Sequence, residues 1–244
     1  MPTRFTTLLQ LCKQTLAHPQ LAGICLLCRQ PVQRSPLLCD YCAQSLEPLA
    51  HPCPLCAYPM PQAAHCCGRC LKLAPAWQQL RVIAHYEQPF ITLIHQLKYR
   101  HQPEVATLLG QLLASEVKQG APSSLPEAIL PVPLHWWRQW RRGYNQSSLI
   151  GHTLAAELGI KLDEKILKRT RATRSQSRLD RKARRQNLRH AFSVNPHHYQ
   201  HVALLDDVVT TGTTAELLSK ALLQSGVQRV EVWAICRTIT KAKS

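Results

Sequence analysis

The sequence predicts an α/β protein with a mainly parallel sheet, preceded by a small cysteine-rich double zinc-binding module. After Pro75, apolar runs alternate with amphipathic helical segments, the order typical of parallel sheets that bind ligands beyond the carboxyl ends of their strands. Before Pro75, proline-broken segments separate regularly spaced cysteines and leave no large apolar core. We therefore expect an N-terminal helix over 1–22, the double zinc-binding module over 23–75 and the α/β domain over 76–244.

The spacing of apolar residues predicts the individual elements of the α/β domain. Pro103 stands in the first turn of one helix, and Gly226 supplies a stop after the last one. Residues 163–190 are rich in cations and poor in apolar side chains, which is typical of a loop or a surface helix. In chain order we predict a strand over Leu80–Tyr86, helices over Phe90–Leu97 and Pro103–Lys118, a strand over Ala128–Val132, a helix over Ser147–Leu158, a strand over Val202–Leu205, a helix over Ala215–Ser225 and a strand over Val227–Cys236.

Eight of the eleven cysteines form four Cys-x-x-Cys pairs. Ten residues separate each pair from the next, and the first two pairs recur 28 residues later, so the segment is an internal repeat. A Cys-x-x-Cys turn presents two thiolates to one ion, and tetrahedral Zn²⁺ takes four. The simplest pairing is local, with one structural zinc on Cys25, Cys28, Cys39 and Cys42 and a second on Cys53, Cys56, Cys67 and Cys70.

The cysteine spacing also allows other arrangements. The first pair could share an ion with the third and the second with the fourth, in a cross-braced module. His51, His65 and Cys66 are spare ligands for the second site. A disulfide framework is the main alternative to metal. It is disfavoured because residues 1–22 contain no signal-peptide cleavage site, and Cys-x-x-Cys pairs of intracellular proteins more often hold metal.

The charge of the chain is large and unevenly distributed. The formal net charge is +16, and Arg138 to Arg189 contains fifteen of the thirty Lys and Arg residues against four acids. Such a basic strip suits a polyanion, which is nucleic acid or, at smaller scale, a pyrophosphate. The alternative is a solvated loop with no fixed partner. No apolar run approaches the length of a membrane span, so we expect a cytoplasmic protein.

Aromatic rings lie among the cations at the start of this strip. Trp136, Trp137 and Trp140 alternate with arginines, and such interleaving can stack single-stranded bases. Alternatively, Trp137 and Trp140 pack in the core. The candidate cations for pyrophosphate or DNA are Lys98, Arg138, Arg141, Arg142, Arg181, Lys182, Arg184 and Arg185.

The most informative segment is VALLDDVVTTGTT, residues 202–214. An apolar strand is closed by Asp206 and Asp207, and a Thr/Gly turn leads into a helix for which Thr213 and Glu216 predict a capping box. The free N–H groups of a helix N-terminus bind phosphate, and adjacent carboxylates accept hydrogen bonds from vicinal sugar hydroxyls. The segment therefore fits a ribose 5-phosphate. The alternative is an ordinary strand–turn–helix unit, in which Asp and Thr only end the strand and begin the helix.

This segment resembles the phosphoribosyl pyrophosphate (PRPP) signature of type I phosphoribosyltransferases, in which two acids and two small or apolar residues precede Thr-Thr-Gly-x-Thr. The resemblance implies a sheet of that type and Mg²⁺ bound with PRPP. It also implies that the two acids bind the ribose 2′ and 3′ hydroxyls and that the turn surrounds the 5-phosphate. The implied phosphoribose-binding residues are Asp206, Asp207, Val208, Val209, Thr210, Thr211, Gly212, Thr213 and Thr214.

Over residues 23–238 the chain resembles the ComF family of competence and DNA-utilisation proteins, including its gluconate-named enterobacterial branch. The cysteine-rich module is followed in order by LKYR (97–100), PVPL (131–134), RRGYNQS (141–147), RTRATRSQ (169–176), RKARRQNLRHAF (181–192) and the PRPP signature. The resemblance implies a role in handling imported DNA as single strands, together with DNA-uptake or recombination proteins. The chain carries two cysteine quartets where a single four-cysteine finger would suffice for that role.

Three functions of different classes follow from these observations. The first is a DNA-handling protein that binds single-stranded DNA and uses the PRPP site as a ligand or regulatory site. The second is a phosphoribosyltransferase that transfers phosphoribosyl from PRPP to a nucleobase or amine. The third is a nucleotide-sensing regulator that keeps the fold without the chemistry. No residue identifies an acceptor or a general base, so the catalytic residues are not assigned.

Overall fold

The computed structural model describes residues 23–32, 37–100, 102–120, 124–134, 143–170 and 191–239. These residues belong to two compact units, Met1–Leu46 and Glu47–Ser244. The expected N-terminal helix over 1–22 lies outside the described residues, as do Trp136, Trp137, Trp140 and every candidate cation of the basic strip. Of the candidate cations, only Lys98, which precedes the strip, is described.

The first unit contains one cysteine quartet on a minimal scaffold. Its strands β1 (Gly23–Ile24) and β2 (Pro31–Val32) pair antiparallel, and a short helix α1 (Asp40–Gln44) begins after the cap residue Cys39.

The second unit repeats this scaffold 28 residues later and continues into the sheet. A bridge between Pro52 and Pro59 corresponds to the β1–β2 pairing, and helix α2 (Gly68–Lys72) corresponds to α1. The left-handed backbone recurs as well, at Arg29 (φ 65°) and Ala57 (φ 55°). Sequence spacing and backbone conformation therefore agree that the two quartets are copies of one module.

The remainder of the second unit is an α/β domain. Its elements in chain order are β3 (Gln79–His85), α3 (Phe90–Tyr99), α4 (Pro103–Gln119), β4 (Ala128–Pro131), α5 (Gln146–Leu158), β5 (Lys161–Leu162), β6 (Leu167–Arg169), β7 (Phe192–Val194), β8 (His201–Val209), α6 (Thr213–Gln224) and β9 (Arg229–Arg237). Strands β3, β9, β8, β4 and β5 lie side by side in that order and pair in parallel throughout. The predicted α/β class with a parallel sheet is confirmed.

Helices cover both faces of this sheet. Ala215, Leu218 and Leu222 of α6 join the buried cluster that contains Leu204 and Val232. On the other face α4 and α5 pack closely, because a Cβ at Gly110 would lie 2.7 Å from Thr153 Cβ. Burial on both faces explains why the central strands appear in the sequence as continuous apolar runs.

Two differences from the sequence expectations, and one agreement, concern local structure. Strand β8 extends to Val209, so the two acids lie inside the strand, where Asp206 pairs with Ala234 of β9. The small strands β5, β6 and β7 were not predicted, because each has two or three residues and no measurable periodicity. The expected stop after α6 is present: Gly226 (φ 105°) and Val227 donate to Leu223 and Leu222 in a Schellman arrangement.

Among the described residues, no helix combines the length and the apolar character needed to cross a membrane.

Candidate functional site

The eight paired cysteines form two separate four-sulfur clusters. In each cluster all four Sγ atoms lie within 4.8 Å of one another. Cys28 and Cys39 Sγ are 3.6 Å apart, and the equivalent pair Cys56 and Cys67 in the other cluster are also 3.6 Å apart. The clusters consist of Cys25, Cys28, Cys39 and Cys42 in one case and Cys53, Cys56, Cys67 and Cys70 in the other. The pairing is therefore local rather than cross-braced, and His51, His65 and Cys66 stand outside both clusters.

The electrostatics of the clusters fit a soft cation. Burial raises the pKa of Cys25, but hydrogen bonds from backbone amides outweigh it and lower the pKa to about 6. The same balance lowers the pKa of Cys67 to about 7. Burial and the neighbouring thiols raise the pKa of Cys42 to about 12 and that of Cys56 to about 11. In each cluster, therefore, one thiol ionises readily, and its neighbours ionise only when a cation compensates the negative charge. A four-thiolate metal site behaves in this way.

The second cluster is bonded directly to the α/β domain. Its Cys53–Cys56 turn offers three backbone carbonyls to that domain: Pro54 O accepts from Leu80 N at 2.8 Å, Leu55 O from Trp77 Nε1 at 2.7 Å, and Cys56 O from Arg237 Nε at 3.1 Å. In the structure this quartet therefore shares a compact unit with the sheet. A boundary between residues 75 and 76 would cut through these contacts.

The two acids lie near the carboxyl end of β8, in the middle of the parallel sheet. Lys98 of α3 places its Nζ 2.5 Å from Asp207 Oδ2. The amide of Asp207 donates to Asp206 Oδ1 at 2.8 Å. Lys98, a candidate for pyrophosphate or DNA, is thus brought to the acidic pair, a contact that the sequence did not indicate.

Asp206 is electrostatically strained. Burial, and then the charge of Asp207, raise its pKa to about 7. Lys98 and the Asp207 amide oppose this effect only in part. A buried carboxylate beside a second one is stabilised by any ligand that donates hydrogen bonds or brings a cation. The arrangement therefore favours a hydroxylated or metal-bound ligand.

The turn after β8 leads directly into helix α6. Gly212 (φ 76°) is its cap residue, and the left-handed backbone there favours glycine. The predicted capping box is wrong: Thr213 is already helical, and Glu216 instead accepts a hydrogen bond from Ala76 N at 2.9 Å. Thr211 Oγ1 and Thr213 Oγ1 lie 2.8 Å apart. The amide of Thr213 donates to Thr211 Oγ1 at 3.4 Å, so the first turn of α6 is capped by a hydroxyl and not by a carboxylate.

A small concavity joins one acid to the turn. Its lining is formed by Asp206 together with residues 208–215. We call residues 210–214 the phosphate loop, because the sequence predicts a phosphate there. A partly buried carboxylate, a tight glycine turn and the start of a twelve-residue helix thus meet at the carboxyl end of β8.

Three residues of this region, Trp77, Arg237 and Ala76, were not found from the sequence, and Glu216 was predicted there only as part of a capping box. Trp77 lies beneath the phosphate loop, where a Cβ on Gly212 would be 3.2 Å from Trp77 Cη2. Arg237 donates through Nη1 to Val209 O at 3.0 Å. Ala76 and Glu216 join the linker after α2 to helix α6. The sequence offers only a weak signal for two of them: Trp77 is a large ring and Arg237 a cation, each at the end of an apolar segment.

Curated proteins show clear similarity to the chain, although no protein-family model matches it. Competence protein F of Haemophilus influenzae is 42% identical over 175 residues, which cover 69% of this chain and 76% of that protein. DNA utilization protein YhgH of Escherichia coli K12 is 39% identical over 222 residues, or 89% of this chain and 98% of that protein. The Salmonella typhimurium YhgH is 40% identical over the same shares.

Among solved structures, a glutamine PRPP amidotransferase from B. subtilis complexed with ADP and GMP aligns with a TM-score of 0.38 and 21% identity, over 57% of this chain and 30% of that one. An overlap of this size supports no argument about function. The sequence similarity is decisive instead, since it extends over nearly the whole of this chain and of the YhgH proteins. On that ground the chain belongs to the ComF/YhgH family of competence and DNA utilization proteins.

Proposed function

We propose that the edge of the sheet at β8 and α6 binds the ribose 5-phosphate moiety of PRPP, with Mg²⁺. One observation carries the proposal: a partly buried acid, a left-handed glycine and a helix N-terminus without a carboxylate cap line the same concavity. A sugar phosphate has hydroxyls for the acid and an anion for the helix end, so one ligand satisfies all three features. The resemblance of residues 202–214 to the PRPP signature supports the same ligand.

The roles of the residues follow from their chemistry. Asp206 and Asp207 accept hydrogen bonds from the ribose hydroxyls. The backbone N–H groups of the phosphate loop and of the first turn of α6 bind the 5-phosphate, where the helix dipole favours negative charge. Lys98 forms an ion pair with Asp207. Mg²⁺ supplies charge neutralisation of the pyrophosphate when it is bound.

We further propose that this site serves a protein that handles single-stranded DNA. The named relatives are a competence protein and DNA utilization proteins. Fifteen cations between Arg138 and Arg189 match a polyanion. Among the residues that the structure describes, no side chain identifies the acceptor of a phosphoribosyl group.

The deciding experiment titrates PRPP with Mg²⁺ and single-stranded DNA, separately and together, and measures pyrophosphate release with a panel of bases. Binding of both ligands without pyrophosphate release supports DNA handling with PRPP as a regulator. Release with one base identifies a transferase, which PRPP chemistry at this site would allow. Binding of PRPP without DNA indicates a nucleotide sensor. If PRPP does not bind, the proposed site is refuted.

Purified protein should contain close to two zinc ions per chain, because the structure holds two complete four-cysteine clusters. Metal analysis by mass spectrometry, on protein prepared without chelator, measures the stoichiometry. A value near zero accompanied by four disulfides would contradict the assignment. One ion per chain would restrict it to a single cluster.

Affinity for ribose 5-phosphate should increase between about pH 6 and pH 8, because Asp206 accepts sugar hydroxyls best when ionised. Burial and Asp207 raise the pKa of Asp206 to about 7, so its proton is lost within that range. The ligand phosphate titrates near pH 6 as well. Calorimetry on Asp206→Asn separates the two effects, since only the phosphate contribution should remain. Identical pH profiles for both proteins would show that Asp206 does not contact the ligand.

A further inference from the structure

We propose that the second cysteine quartet positions the phosphate loop, through Arg237, Trp77 and Glu216, so that metal bound to this quartet sets the affinity of the loop for phosphate. The proposal rests on the proposed function, since it assigns the phosphate to this loop. The proposal gives a role to the second quartet, for which the sequence repeat by itself indicates none. Three contacts connect the metal cluster to the loop.

Arg237 provides the first connection. It is the last residue of β9 and is almost completely buried. Its Nε donates to Cys56 O at 3.1 Å, and its Nη1 donates to Val209 O at 3.0 Å. One guanidinium therefore joins the carbonyl of a cluster cysteine to the last residue of β8, immediately before the phosphate loop. Because guanidinium is planar and rigid, it transmits the position of one carbonyl to the other.

Trp77 provides the second connection. Its Nε1 donates to Leu55 O at 2.7 Å, which anchors the ring to the Cys53–Cys56 turn. The far edge of the same ring lies under Gly212, leaving 3.2 Å to the position that a Cβ would occupy. The left-handed residue of the phosphate loop thus rests on a side chain that the metal cluster holds in place.

The linker after α2 provides the third connection. Ala76 N donates to Glu216 Oε2 at 2.9 Å, and Lys220 Nζ lies 2.9 Å from Glu216 Oε1. This contact joins the segment beside the cluster to the first turns of α6. A cavity of about 290 Å³, lined by both cluster cysteines and loop residues, lies between these elements. Ala57 and Trp77 also belong to the buried cluster that contains Val209 and Ala215, so packing acts together with these hydrogen bonds.

Metal matters to these contacts because two of the three start inside the chelating turn. Leu55 and Cys56 offer their carbonyls from the Cys53–Cys56 segment, whose ends are both cluster residues. A bound metal cross-links Cys53 and Cys56 to Cys67 and Cys70 and so fixes those carbonyls. Without metal, no bond joins Cys53 and Cys56 to Cys67 and Cys70, and the Cys53–Cys56 turn is no longer cross-linked.

The internal repeat offers a matched test. Cys67→Ser with Cys70→Ser removes the second metal and leaves the Cys53–Cys56 turn unaltered in sequence. Cys39→Ser with Cys42→Ser makes the same change 28 residues earlier, in the first quartet. We would measure metal content, calorimetric affinity for ribose 5-phosphate with Mg²⁺, and hydrogen exchange of the amides in residues 208–214.

Each variant should lose one metal ion. The second-quartet variant should also bind ribose 5-phosphate about tenfold more weakly or worse, with faster exchange in residues 208–214, because several hydrogen bonds behind the loop are lost. The first-quartet variant should keep the wild-type affinity and exchange. Wild-type affinity and exchange in a folded second-quartet variant that has lost its metal would overturn the proposal.

A milder variant, Trp77→Phe, tests the proposal if the second-quartet variant does not fold. Trp77→Phe keeps an aromatic ring under Gly212 but removes the donor to Leu55 O, and should weaken binding about two- to tenfold with both metals retained. Unchanged affinity and unchanged loop exchange in Trp77→Phe would then count against positioning. If the wild-type protein binds no ribose 5-phosphate, the proposed function fails, while the exchange measurements still decide whether the quartet orders the loop.

Discussion

Replacing Asp206 and Asp207 together by Asn should lower the affinity for ribose 5-phosphate with Mg²⁺ by at least tenfold. Asn keeps the shape of each side chain but removes the charge and one acceptor oxygen. A hydrogen bond to a charged group contributes about 1.5–3 kcal/mol, so losing even one corresponds to tenfold or more. Isothermal calorimetry at pH 8, where Asp206 is ionised, measures the effect directly, since its pKa is raised to about 7.

Stability measurements on the single variants provide the control. The pKa of Asp206 is higher in the folded chain than in the unfolded one, so its proton favours folding. That stabilisation is complete at low pH and is lost as the pH rises through about 7. Above that pH, Asp206→Asn removes a strained buried charge and should not lower the free energy of unfolding. If a variant is as stable as the wild type but binds weakly, the loss of affinity comes from lost contacts with the ligand and not from unfolding. Unchanged affinity in the folded double variant would refute the assignment.

Replacing Arg181, Lys182, Arg184 and Arg185 by Gln should flatten the salt dependence of single-stranded DNA binding. Each phosphate contact contributes about 0.7 to the slope of log affinity against log salt, so four contacts amount to about three. Binding should weaken for all sequences alike, because phosphate contacts carry no sequence information. Fluorescence anisotropy over a salt series, with several oligonucleotides, measures both quantities.

A stacking variant is the matched control for this experiment. Trp136→Ala should weaken DNA binding and leave the slope unchanged, since stacking releases no counterions. If the basic strip serves only a pyrophosphate, DNA binds weakly at physiological salt and the four-Gln variant loses PRPP affinity instead. A variant that changes neither affinity shows that the strip is a solvated surface.

Much of the α/β domain could be predicted, because the residues that define each helix or strand lie close together in the chain. Helix α4 was expected over Pro103–Lys118 and runs over Pro103–Gln119, since an N-terminal proline and a regular apolar stripe mark it. The cysteine clusters were equally accessible, because the ligands of each ion lie within one repeat of short turns. The start of α6 was harder to place, because two threonines beside a glycine each make a credible cap.

From the sequence alone we could infer the parallel α/β class, the two cysteine quartets and the acids followed by the glycine turn. The folded chain was needed to show that Lys98 lies on Asp207 and that the second quartet is bonded to the sheet. The reason is physical. Turns, caps and periodic faces involve residues a few positions apart, so they leave a pattern in the chain. The contacts that connect Arg237 to Cys56 and Ala76 to Glu216 span 181 and 140 residues, and depend on how elements pack rather than on any spacing.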